Sequence, residues 1–180
     1  MLRNAFDVLV AEALAQPVVF VHRDYHSRNL MVIPQRNPGI IDFQDALAGP
    51  LGYDLVSLLK DCYVGWPRER VEGWVAGYRA RLRAAGFAAG CGASDAEFLR
   101  WFDMIGIQRH VKVLGIFARL WYRDGKSGYL ADLPLTLHYV RDACARYVEL
   151  AGFARWLEAR IVPVFERVNP QAIAAARAAR

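Results

Sequence analysis

Val21-His22-Arg23-Asp24-Tyr25-His26-Ser27-Arg28-Asn29-Leu30-Met31, followed by Ile40-Ile41-Asp42-Phe43, is the stretch whose reading decides the fold. Asn29 stands five positions after Asp24, and Asp42 stands eighteen after it. Pro17-Val18-Val19-Phe20-Val21 is apolar and β-branched, so a short buried strand is expected to lead into the loop. Leu30-Met31-Val32-Ile33 is a second apolar run, and Gly39-Ile40-Ile41-Asp42-Phe43 a third strand that ends at a carboxylate. Pro34-Gln35-Arg36-Asn37-Pro38-Gly39 carries the residues that reverse a chain. Two short strands joined by a tight turn bring Asn29 and Asp42 close together.

Oxygen groups at this spacing suit phosphoryl transfer. One carboxylate must orient a substrate hydroxyl and accept its proton, and two further oxygen groups must hold magnesium against phosphates. The spacing H-R-D-x-x-x-x-N with a following Asp-Phe supplies all three. On this pattern Asp24 would be the catalytic base, and Asn29 and Asp42 the ligands of a Mg2+ held against those phosphates. An amide and a carboxylate suit this ion, which takes hard oxygen donors and keeps water and phosphate in its shell. His22-x-Asp24-x-His26 also admits a metallohydrolase reading, with imidazole and carboxylate on zinc or a two-metal centre. That reading needs more ligands. The chain has four histidines, and His110 and His138 fall on expected helices without a paired ligand motif. His22 is therefore read as a hydrogen-bonding residue supporting the loop.

These segments resemble the aminoglycoside phosphotransferase and choline kinase superfamily, which shares the two-lobed fold of protein kinases. Gln44-Asp45-Ala46, the run Gly49-Pro50-Leu51-Gly52-Tyr53-Asp54-Leu55, Gln108-Arg109-His110-Val111-Lys112 and Tyr122-Arg123-Asp124-Gly125-Lys126 extend the likeness. They point to its anomeric N-acetylmuramate and N-acetylglucosamine kinase branch, and the likeness runs through about Ala151. The resemblance implies ATP-dependent phosphorylation of the anomeric hydroxyl of an N-acetylated amino sugar, in cell-wall recycling in the cytoplasm. It also implies that Asp54 supports the catalytic loop through its backbone. Such kinases carry an N-terminal lobe with a phosphate-covering loop and an ATP-pairing Lys. Only twenty-one residues precede His22, and residues 1–16 read as one helix. The expectation is thus an α+β, mostly helical chain. Residues 1–180 would be the C-terminal lobe of a kinase-like fold, with a small β-hairpin at the catalytic loop and the nucleotide-binding lobe absent. A catalytically silent lobe acting as a binding module, or a kinase for an aminoglycoside, choline or another small alcohol, are the alternatives.

Outward from the loop, Gly49-Pro50-Leu51-Gly52 reads as a turn. Helices are expected over 53–64, 68–85, 95–122, 134–152 and 154–168, the last kinked at Pro163. Ser94 is the expected N-cap of the long helix, with Glu97 completing a capping box. Residues 87–94 form a Gly- and Ala-rich connection that suits a mobile loop, and the Ala/Arg tail from Ala172 suits a frayed helix. Gln44 and Asp45 either face the substrate or fix a turn. Gln108, Lys112, Arg119 and Tyr122 recur at spacings that put them on one helix face, which either lines the sugar site or is a solvated stripe, and Arg109 and His110 share that ambiguity. Arg28 either approaches transferring phosphate or pairs with a carboxylate. Five tryptophans are expected in the core.

Composition bounds the remaining classes. With 180 residues and 55% apolar content the chain can bury a core. No apolar run reaches the ~18 residues of a membrane span. Cys62, Cys91 and Cys144 are odd in number and scattered, as in a reduced chain without a cysteine metal site. Net charge is +5, but basic residues alternate with Ala rather than with aromatics, so a nucleic-acid partner is not expected.

Overall fold

A computed structural model describes residues 1–87 and 92–168. The chain divides into two compact units, residues 10–106 and residues 1–9 with the chain from Ile107 onward. Cys91 and the Ala/Arg tail lie outside the described residues, as does half of the connection expected over 87–94, residues 88–91. The described part is mostly helical with two small two-stranded sheets.

In the unit of residues 10–106, Val18–Val21 (β1) pairs antiparallel with Leu47–Pro50 (β4), in the register Val18 to Pro50 and Val21 to Leu47. Of the turn expected over Gly49-Pro50-Leu51-Gly52, the first half is therefore a strand end, and only Leu51-Gly52 turns. Pro50 tolerates this because it closes the ladder, where a missing N–H costs little. Nor is β1 buried along its length. Val18 and Phe20 are 71% and 75% exposed, since a two-stranded sheet covers one face only, and Val21 alone is buried. Leu30–Met31 (β2) pairs with Gly39–Ile40 (β3). Both are shorter than expected. Asp42 lies beyond β3 with φ +66°, a left-handed conformation that cannot continue a strand.

The helix expected over residues 1–16 is Leu2–Leu14 (α1), and Tyr53–Leu59 (α2) stops five residues before the expected end. Lys60 leaves helical geometry at φ −120°, ψ 49°, and its ammonium is buried against Asp103 at 3.0 Å. Arg68 also binds Asp103, through both nitrogens at 2.6 and 2.8 Å. Burial alone would raise the Asp103 carboxyl, but the Arg68 hydrogen bonds and the Lys60 and Arg68 charges prevail and hold it below the ordinary carboxylate range. Arg68–Ala84 (α3) ends at Gly86, whose φ of +69° lets the Phe87 N–H reach the Leu82 carbonyl. Val56 and Leu59 of α2, Val71 and Val75 of α3, and Phe98, Phe102 and Ile105 of the next helix form the core. Gly52 opens α2 against Gln16, whose Oε1 accepts its N–H at 3.0 Å. A Cβ there would meet that same oxygen at 3.0 Å.

Asp95–Asp124 (α4) begins as its sequence requires. The Glu97 N–H donates to the Ser94 hydroxyl, and the Ser94 N–H donates to the Glu97 carboxylate. It stops at Gly125, φ +66°, with Lys126 N–H bonded to the Leu120 carbonyl. In the other unit, Leu133–Cys144 (α5) ends earlier than expected, and a 3₁₀ turn over Val148–Leu150 separates it from Ala151–Trp156 (α6). A π turn, Leu157–Ile161, then precedes Val162–Val168 (α7). Pro163, second in α7, has no N–H for the preceding turn and displaces the ladder there. The tryptophans are not all internal: Trp66, Trp74 and Trp121 are each 39% exposed. Trp66 and Trp74 meet edge to face at 5.2 Å, with Arg70 over both rings.

Candidate active site

The loop between β1 and β2 is fixed by its backbone. The His22 N–H donates to Asp54 Oδ2 at 2.7 Å and the Arg23 N–H to Oδ1 at 3.0 Å. Asp54 lies in the first turn of α2, so one carboxylate of that helix grips the loop just before Asp24. Arg23 is held at φ +76°, a conformation that disfavours a side chain. Its guanidinium donates to the Asp45 carbonyl at 3.2 Å. Left-handed geometry thus occurs at Arg23 beside Asp24 and again at Asp42, and strained backbone of this kind gathers at functional sites.

Asn29 ends a 3₁₀ turn, Ser27–Asn29. Its Nδ2 donates to the Asp24 carbonyl at 3.0 Å and to Asp42 Oδ2 at 3.1 Å. The Ile41 N–H returns to the Asn29 carbonyl at 3.2 Å, tying the segment before Asp42 to the loop. The Gln44 amide donates to Asp42 Oδ1 at 2.6 Å. Asp24 is half-buried, and among the described residues no donor is bonded to its carboxylate. Asp24, Asn29, Asp42 and Gln44 are therefore gathered within one unit.

Mg2+ is the cofactor to test against this set. An exposed carboxylate and an amide beside it are hard donors, and they leave most of an octahedral shell to water and phosphate, as this ion prefers. Asn29 turns Nδ2 toward Asp42, so holding a cation between them calls for its amide oxygen instead. The pair fits on those terms. Among the described residues no three His, Cys, Asp or Glu side chains converge, so the metallohydrolase reading lacks a ligand set.

The other candidates divide. His22 is 5% exposed, its ring meets Tyr25 edge to face, and neither ring nitrogen has a partner among the described residues. Among the described residues no carboxylate pairs with Arg28, which is exposed; its guanidinium lies 3.4 Å over the Tyr63 ring. Asp45 is exposed and contributes its carbonyl to Arg23. Gln108 and Lys112 belong to the other unit, where Gln108 is half-buried and Lys112 exposed. Arg119 and Tyr122 are exposed as well, whereas Arg109 and His110 are buried, with the His110 ring 4.9 Å from Tyr139. One residue escaped the sequence reading. Asp61, 3% exposed, accepts the Ser27 N–H at 2.9 Å and the Ser27 hydroxyl at 2.5 Å. Its signal was present: an acid inside Leu58-Leu59-Lys60-Asp61-Cys62 cannot be buried without donors.

Comparisons with known proteins bear on the family of the chain. The model of the phosphotransferase enzyme family matches residues 1–93. The N-acetylmuramate/N-acetylglucosamine kinase of Neisseria meningitidis serogroup B is 53% identical over 149 residues, covering 83% of this chain and 44% of the relative. The kinase of the same name from Pseudomonas putida is 49% identical over 144 residues, covering 80% of this chain and 42% of its own length. That of Caulobacter vibrioides is 35% identical over 161 residues, 87% of this chain and 42% of the relative. The chain spans less than half the length of each. No helix among the described residues is long and apolar enough to cross a membrane.

Proposed function

The chain belongs to the phosphotransferase enzyme family, and from that premise we propose that it supplies the base and the cation-holding pair of an ATP-dependent amino-sugar kinase. The acceptor in this reading is the anomeric hydroxyl of N-acetylmuramate or N-acetylglucosamine, the sugars in the relatives' names. Asp24 takes the hydroxyl proton as the sugar oxygen forms its bond to the γ-phosphorus. The bond from that phosphorus to the β–γ bridging oxygen breaks, and ADP leaves with the electron pair. Asn29 and Asp42 hold Mg2+, which when bound neutralises charge on the phosphate oxygens. Gln44 fixes the rotamer of Asp42, and Asp54 fixes the backbone that carries Asp24. The phosphate-covering loop and the ATP-pairing Lys come, in this reading, from sequence outside this chain, so the 180 residues act as a kinase-like C-terminal lobe. Dependence on ATP sets the reaction in the cytoplasm.

The observation that carries the reading is the Asn29 amide, bonded at once to the Asp24 carbonyl and the Asp42 carboxylate. The test is a chimera joining this chain to the portion of the Neisseria meningitidis relative that it does not match. With ATP and Mg2+ the chimera converts either sugar to its 1-phosphate, read by ³¹P NMR, while the 180-residue chain alone does not. A folded chimera that binds ATP and phosphorylates neither sugar contradicts the reading. Turnover of an aminoglycoside or choline in preference to both sugars overturns the acceptor assignment alone.

A further inference from the structure

We propose that Asp61 is a positioning residue for the cation-holding half of the loop. The inference rests on the reading of Asn29 and Asp42 given above. Asp61 follows α2 and is almost wholly buried. It accepts three hydrogen bonds: the Ser27 N–H and hydroxyl on Oδ2, and the Tyr63 N–H on Oδ1 at 3.2 Å. A buried carboxylate that spends its acceptors on backbone N–H groups and one hydroxyl fixes the position of those groups. Ser27 opens the 3₁₀ turn that ends at Asn29, and the Asn29 N–H is bonded to the His26 carbonyl at 2.9 Å. The intervening residue, Arg28, stacks on the ring of Tyr63, whose own N–H Asp61 holds. Residues 26–29 are thus fastened to residues 61–63 through a carboxylate and a ring.

Asp54 and Asp61 divide the loop between them. Asp54 holds the backbone of residues 22 and 23, before Asp24, and Asp61 holds Ser27, after it. The direction taken by the Asn29 amide toward Asp42 follows from where Ser27 is held. Loss of the Asp61 charge therefore loosens the Asn29 side of the loop and leaves the Asp54 side in place.

Two measurements on the 180-residue chain test this. By NMR hydrogen exchange, Asp61→Asn accelerates the amides of Ser27, Asn29 and Ile41 about 10-fold, the factor that loss of one charge-assisted bond supplies. The amides of His22 and Arg23 keep their wild-type rates. By Mn2+ titration followed by EPR, the same substitution raises the dissociation constant about 10-fold. Ser27→Ala removes only the hydroxyl bond, at an exposed residue, and gives a smaller change in the same direction. It keeps the test open if the Asp61→Asn chain does not fold. Unchanged exchange at residues 27–29, or equal acceleration at residues 22 and 23, overturns the proposal. So does Mn2+ affinity that depends on Asp42 and is indifferent to Asp61→Asn and Ser27→Ala. If Asp42→Ala binds Mn2+ as the wild type does, the cation reading itself falls, and with it what Asp61 is said to position.

Discussion

Replacing Asp54 by Ala removes the acceptor of two backbone N–H groups, at 2.7 and 3.0 Å. Hydrogen bonds to a charged group are each worth about 1.5–3 kcal/mol. His22 is buried, so its N–H is left without solvent as a substitute, while half-buried Arg23 recovers part of its loss from water. The sum then falls near the lower bound of the pair, about 3 kcal/mol. For a chain of this length that lowers the unfolding midpoint by about 6–12 °C. Asp54→Asn retains one accepting oxygen and loses about half as much. Urea and thermal unfolding followed by circular dichroism measure both variants, and amide exchange at residues 22 and 23 reports the site directly. An Asp54→Ala chain within about 0.5 kcal/mol of the wild type, the range of an ordinary surface substitution, refutes the reasoning.

Other outcomes follow from the same contacts. Asp103→Asn leaves the buried Lys60 ammonium and Arg68 without their shared carboxylate and costs about 3–5 kcal/mol by denaturant unfolding. Because the folded-state carboxyl of Asp103 lies below its ordinary value, its contribution is full above the unfolded pKa, about 3.9, and fades as pH falls through the lower folded value. The wild type loses this stability on acidification below about pH 4, and Asp103→Asn does not. At Arg23, φ +76° makes Gly more stable than Ala by about 1 kcal/mol, although both lose the bond to Asp45; equal stability of the two variants would show that no strain is stored there. In the chimera, Asp24→Asn lowers kcat by about 10²-fold or more with the KM for ATP unchanged, and a matching rise in KM would contradict its assignment as base.

The part of the site made by short-range chemistry was legible. Asp24 and Asn29 lie on one short loop, and the Pro- and Gly-rich turn over residues 34–39 brings Asp42 back to them. The Ser94 cap with Glu97 was equally readable, because caps need particular residues at particular positions. What could not be read depends on pairing across sequence. Gly49-Pro50 carries the residues of a turn, yet the long-range partner Val18 to Val21 makes it a strand. Lys60 and Asp61 sit where helical periodicity continues, but burial against Asp103 and Ser27 ends α2 before them. The break after Cys144 has no Gly or Pro to announce it. Arg28 showed its charge and not its stacking partner, since Tyr63 is thirty-five positions away.

The account is tested most directly by adding Mn2+ to the isotope-labelled 180-residue chain and recording which resonances it broadens. The Asn29 side-chain amide and the backbone amides of residues 24, 42 and 44 should broaden first, and Asp42→Ala should abolish the effect. Broadening centred elsewhere in the chain, or undiminished in Asp42→Ala, would contradict it.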